Sequence, residues 1–299
     1  MFPVSAFGGL LLVLSRLQGH GRPFRMKGKP TVSKLSKSKD FSPWNACRIN
    51  FHSEPDIDSR IALEAIWLDN ASKEHISIPA FSKLSLQLIA LGAPPDLMEK
   101  VFRAASQEIN HATLCYSVAS SLSGKPFSPD IMPEILRQSF DHGSLESLVL
   151  ECFVDGCLME ALSAAHAREG ALLAREPEIK KVLDVIASDE HFHSELSWEI
   201  VQFLLPRVSV SMTQILLSEL KKIKSLPAPE FYSHEIIELI GRADRECMRC
   251  FGVLPQESTE RLWSETVRTV ELRFSSVCMV DQRSDKPSWL NQFHSTPRN

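Results

Sequence analysis

Residues 101–118 read VFRAASQEINHATLCYSV, and this stretch decides the fold. Val101, Ala104, Cys115 and Val118 follow the spacing of one apolar helix face, and Leu97 and Leu122 extend it at either end. Glu108 falls in the middle of that face, seven residues after Val101 and seven before Cys115. A glutamate at a core position is costly unless something compensates its charge. His111 follows three residues later, and a spacing of i, i+3 puts both side chains on one side of a helix.

The same arrangement recurs along the chain. Glu74 lies midway between Trp67 and Phe81, Glu160 between Phe153 and Ala167, and Glu190 between Leu183 and Ser197. His193 stands three residues after Glu190. Helices are expected over about 58–91, 97–122, 144–175 and 177–205. Gly92-Ala-Pro-Pro-Asp96 separates the first two, with Asp96 a candidate cap, and Glu176-Pro177 separates the last two. Links this short make antiparallel hairpins, and the Pro-rich stretch 123–143 is a long crossover between them. Three further helices are expected near 211–225, 233–252 and 257–274. The fold class is therefore all-α: a four-helix bundle of two hairpins with extra C-terminal helices.

Charge supports a metal site at the centre of that bundle. Four carboxylates balance two divalent cations, and neutral imidazoles complete the coordination. Carboxylate and imidazole donors suit iron or manganese better than copper(I). Glu160 is preferred over Glu151 on the third helix, because nine residues carry Glu151 to nearly the opposite face. His75, His166 and His191 fall off the stripes and are expected at the surface or rim. Pro79, one turn past Glu74, is expected to kink the first helix. Cys247 and Cys250 have redox or zinc spacing but no second cysteine pair, and read as coincidence.

The combined pattern Glu74, Glu108-x-x-His111, Glu160, Asp189-Glu190-x-x-His193 resembles the ferritin-like di-iron carboxylate superfamily. The stretches WLDNASKEHISIPAFSKLSLQLIALGAPPDLMEKVFRAASQEINHATLC and IASDEHFHSELSWEIVQFLL look closest to bacterial ferritin-like domain proteins of undefined activity. The resemblance covers about residues 58–205. It implies a ferritin-like bundle holding two iron ions, with manganese or a mixed centre as the variant. It also implies that Glu108 and Glu190 bridge the metals, that Glu74 and Glu160 are terminal ligands, and that His111 and His193 each bind one metal. Asp189 matches an acid that orients a ligand histidine. Gln107 stands at the equivalent position of the first half, where the family commonly has Asp.

Three functions follow as expectations. The first is an O2-dependent oxidase or oxygenase with a small-molecule substrate and an electron donor. The second is a ferroxidase or other iron-handling protein. The third is a metal-free helical interaction module. The C-terminal third would complicate packing into a cage, so a monomer or dimer is expected.

The remaining composition narrows the setting. A net charge of −4 over 299 residues gives no reason to expect a nucleic-acid partner. Seven cysteines scattered over helices fit a reducing compartment, and no run of 18 apolar residues predicts a membrane span. Residues 1–50 form a basic leader without an acidic residue before Asp40. It reads as a transit peptide or as an over-extended start with Met26 as the first residue. Localisation is expected to be cytoplasmic, or organellar if the leader is a targeting segment. The expected organisation is a disordered leader at 1–50, the bundle at 51–206, a helical extension at 207–280 and a disordered tail at 281–299.

Overall fold

The computed structural model describes residues 22–26, 29–36, 40, 42–136 and 144–281. Regular structure there is helical, apart from a two-residue ladder pairing Arg25–Met26 with Lys29–Pro30 and a single bridge between Leu35 and Pro129. Four long helices come first: α1 (Ile57–Ala90), α2 (Pro95–Ser123), α3 (residues 145–173) and α4 (Pro177–Leu204). They are followed by α5 (Val210–Lys224), α6 (His234–Arg242), α7 (Arg245–Cys250) and α8 (Gln256–Asp281).

Each long helix starts and stops for a local reason. Asp56 caps α1 by accepting from the Ser59 amide at 3.0 Å. Gly92 at φ 70° turns the chain, and α2 then begins at Pro95 with Pro94 as its N-cap. Asp96 therefore lies in the first turn, where it favours the helix dipole without capping it. Gly124, at φ 69°, closes α2. Ser144 caps α3. The Glu176 carboxylate does not cap α4; it instead accepts from the His52 and Ser53 amides, both at 3.0 Å. Helix α1 continues unbroken through Pro79.

Helix α3 departs from a regular α-helix. Cys152–Glu160 is π-helical, between the α-helical segments Leu145–Glu151 and Ala161–Leu173. All nine residues of the π segment are buried, including Asp155 and Glu160. Its i→i+5 bonding widens the turn, so residues five apart both reach the interior.

The core is continuous with the C-terminal helices. Phe153 of α3 meets Trp198 of α4 edge-on at 6.0 Å and Phe274 of α8 at 4.9 Å. Leu216 and Leu220 of α5 and Trp263 of α8 join the same buried cluster. Burying each such side chain contributes about 1.5–3 kcal/mol. The stretch expected as one helix over 233–252 is divided at Ala243, because Asp244 caps α7 by accepting from the Cys247 amide at 2.7 Å.

The expectation that residues 1–50 stand outside the fold does not hold for the described part of that segment. Phe24 is 3% exposed and packs with Ile76 and Ala80 of α1. The Ser36 amide donates to Ser128 O at 2.9 Å and the Asp130 amide to Lys34 O at 2.7 Å, which ties the segment to the crossover. Arg25 forms a two-pronged ion pair with Asp155, at 2.5 and 3.1 Å. The physical reason is that the π segment leaves a carboxylate in the interior, and the basic segment supplies its partner. Residues 1–21, the stretch 137–143 and the tail after 281 lie outside the described residues.

Arg25→Met removes the two-pronged ion pair from Asp155, a carboxylate only 2% exposed. The expected loss is about 3–5 kcal/mol, measured as a lower midpoint in urea unfolding, with Arg25→Lys losing less.

Candidate metal centre

The four long helices bring all six sequence-predicted ligands together. Glu74 comes from α1, Glu108 and His111 from α2, Glu160 from α3, and Glu190 and His193 from α4. Glu108, His111, Glu160 and His193 are 0% exposed, Glu190 2% and Glu74 9%. Their donor atoms fall into two groups, each within 4.8 Å and each able to hold a metal ion. One comprises Glu74, Glu108, His111 and Glu190; the other comprises Glu160, Glu190 and His193. Glu190 belongs to both. Glu108 also spans them: its Oε1 is 3.1 Å from His193 Nδ1 and its Oε2 is 3.8 Å from His111 Nδ1.

The outer nitrogens of the two histidines are each held by a hydrogen bond. His111 Nε2–H donates to Asp189 Oδ2 at 3.1 Å. His193 Nε2–H donates to Gln107 Oε1 at 3.2 Å. Gln107 Nε2 donates in turn to Asp189 Oδ1 at 2.5 Å, closing a bridge between α2 and α4. Each histidine is thus held by the other hairpin. With the proton fixed on Nε2, both Nδ1 lone pairs face the carboxylates. Gln107 works where an Asp is expected because its amide accepts from one histidine's N–H and donates to Asp189.

The donor set fits a cation. Both oxygens of Glu108, Glu160 and Glu190 and both Nδ1 atoms are buried without a hydrogen-bond partner. Such orphaned atoms are rare in a folded core and each carries a desolvation cost. The carboxylate–imidazole approaches of 3.1–3.8 Å have ion-pair length without hydrogen-bond geometry. A divalent ion would satisfy the lone pairs that the protein leaves bare.

Without a cation, protons take its place. Burial pushes Glu108 up to about 8, with Glu190 and Glu74 adding to the push and His193 opposing it. Burial also raises Glu160 well above the usual carboxylate range, reinforced by Glu190 beside it. Burial pulls His193 down, but Glu108 and Glu190 overcome it and hold the imidazole up at about 9.

Beside this cluster lies a cavity of about 60 Å³, lined by Glu74 and Glu190 together with Trp67, His166, Tyr232 and Phe251. His166 is therefore buried rather than at the rim; it stacks on Phe231 at 4.0 Å. Burial, with Lys73 adding, pulls His166 down to about 3, so it stays neutral. Nothing in helical spacing reveals this role, because Phe231 and Tyr232 arrive from the loop before α6. His75 packs edge-on against Trp44 at 4.9 Å, and His191 is exposed. Tyr116 is buried in the apolar core, and Cys247 and Cys250 are unpaired and partly buried on α7.

No family model, curated protein or solved structure matches the chain. Among the described residues, no helix is long and apolar enough to cross a membrane.

The metal-free protein loses stability as pH rises. Folded Glu108 binds its proton up to about 8 and folded His193 up to about 9, against 4.5 and 6.5 for the ordinary groups. Between those values the folded state holds more protons, so each contribution is complete below the lower value and gone above the higher. Chelator-treated protein unfolded in urea at pH 6, 7.5 and 9 is expected to weaken, by up to about 1.4 kcal/mol per pH unit for each extra proton held. Glu108→Gln flattens the slope from pH 6 to 8.

Proposed function

We propose that this chain is a ferritin-like di-iron protein that uses dioxygen to oxidise a small substrate. The observation behind this reading is the set of six buried donors from four helices, with their inner lone pairs bare and their imidazoles held from behind. The class of donor suits iron, and manganese or a mixed pair fits the same ligands. On this reading all six residues would hold the ions, with Glu74 and His111 on one side, Glu160 and His193 on the other, and Glu108 and Glu190 between them.

Two ferrous ions held there would supply electrons for reducing dioxygen. The protein's own part is to orient, to exclude water and to leave one side accessible. The Asp189–Gln107 bridge fixes both rings before anything binds, so no reorganisation is needed at the moment of reaction. Glu74 and Glu190 line the cavity, which makes it the approach for a small molecule. The neutral, mostly apolar wall around His166 favours an uncharged diatomic over an ion. A di-iron oxidase also requires an electron donor, which would dock from outside.

The size of the cavity supports a second reading. A volume of about 60 Å³ accommodates only a few water-sized molecules. That suits ferroxidase chemistry, in which ferrous ion itself is the substrate. The two readings differ in turnover. A di-iron oxidase oxidises about two ferrous ions per chain and then stops until a reductant is added. A ferroxidase continues while ferrous ion is supplied.

The test is metal content per chain after anaerobic loading, followed by oxygen consumption with limiting and excess ferrous ion. The wild-type chain is expected to hold two irons, and a Glu108→Ala, Glu190→Ala double variant none. A wild-type chain that takes up no metal and is as stable as the double variant would sink both readings and favour a helical interaction module.

A further inference from the structure

Arg22 is a buried cation, 5% exposed, brought to the bundle by the N-terminal segment. Its Nη2 donates to Ser197 Oγ at 3.0 Å, its Nη1 lies 4.0 Å from Cys152 Sγ, and its Cζ sits 5.2 Å from the Phe81 ring centre. The Ser77 hydroxyl fixes the segment by donating to Arg22 O at 3.0 Å. Gly156 makes room for the guanidinium. A Cβ there would stand 2.5 Å from Arg22 Nη2 and 2.2 Å from Ser197 Oγ.

These contacts surround one side of the donor cluster. Gly156 lies about one turn before Glu160 in the π segment. Ser197 is one turn beyond His193 and donates to its carbonyl at 2.9 Å. Phe81 packs against the His193 imidazole at 5.2 Å. The nearer groups do not neutralise Arg22. Asp155 is engaged by Arg25, and burial pushes the Cys152 thiol up to about 11 against the pull of Arg22. Among the described residues no carboxylate lies within ion-pair distance of Arg22, and Glu160 attracts it from further away. The group beside it is also the poorer in protein ligands, with three donors against four.

We propose that Arg22 tunes the charge of the metal centre: a fixed positive charge, carried in by the N-terminal segment, that lies on the Glu160–His193 side of the cage and lowers its net negative charge. The inference rests on the di-metal reading above. A fixed cation beside a metal position has two effects of known sign. It weakens binding of a second cation, and it favours the reduced, less positive pair over the oxidised one.

The experiment uses the full chain, with Arg22→Met and Arg22→Lys beside the wild type. Ferrous ion is titrated anaerobically by equilibrium dialysis, and the midpoint potential of the loaded centre is followed spectroscopically. Arg22→Met is expected to bind the weaker of the two ions about tenfold more tightly and to shift the midpoint potential downward. Arg22→Lys is expected to stay close to the wild type in both. A residue that merely fills space would act in the opposite sense: its loss would loosen the cage and weaken binding. Weaker binding in Arg22→Met, or no change in either measurement, overturns the inference while leaving the di-metal reading intact. If Arg22→Met does not fold, Arg22→Gln keeps a donor for Ser197, removes the charge and carries the same expectation. A wild-type chain that takes up no ferrous ion overturns both.

Discussion

Four carboxylates sit in the middle of a helical core, and the rest of the structure is organised around that constraint. Apolar packing alone would expel them. They stay because each is placed on the inward face of a long helix, where leaving would require turning the whole helix. Two imidazoles stand among them, the Asp189–Gln107 bridge holds those rings, and Arg22 lies against one side. Protons or cations then settle the remaining charge. The cost of desolvating these groups is met by the apolar layers on either side. Tyr116, Leu63 and Ile179 form part of one layer, and Phe153, Trp198 and Phe274 part of the other.

The same constraint accounts for the extra chain beyond four helices. The C-terminal helices cover apolar faces of α3 and α4 through Trp263, Val267 and Phe274. The loop before α6 brings Phe231 and Tyr232 over His166 and narrows the cavity. The N-terminal segment covers the π segment and neutralises Asp155. The cluster is buried beneath these elements, which strengthens every electrostatic interaction inside it.

The features legible in the sequence were those carried by regular spacing. Glu74, Glu108, Glu160 and Glu190 each replace an apolar residue in a sevenfold stripe, so an ideal helix places them inward. His111 and His193 follow from the i+3 relation, and the short links around Gly92 and Pro177 from turn chemistry. What escaped was whatever broke the period or came from far along the chain. No residue preference encodes i→i+5 bonding, so the π segment read as ordinary helix, and the burial of Asp155 went unseen with it. Arg22 and Arg25 read as part of a basic leader because their partners, Ser197 and Asp155, lie 175 and 130 residues away. Gln107 looked like a departure from a pattern. Its two-sided amide became intelligible only beside Asp189.

That bridge has a consequence for how the halves of the molecule depend on each other. Gln107 belongs to the first hairpin but supports the histidine of the second, and Asp189 does the reverse. Neither hairpin contains the group that aims its own imidazole. Slipping one hairpin along the other by a single turn would break both supports at once, so the crossed pair acts as a registration mark between them. A half-length chain of this design could assemble the donor cluster only by meeting a second half. Whatever its history, the symmetry of the site is one of mutual completion, not of two independent copies.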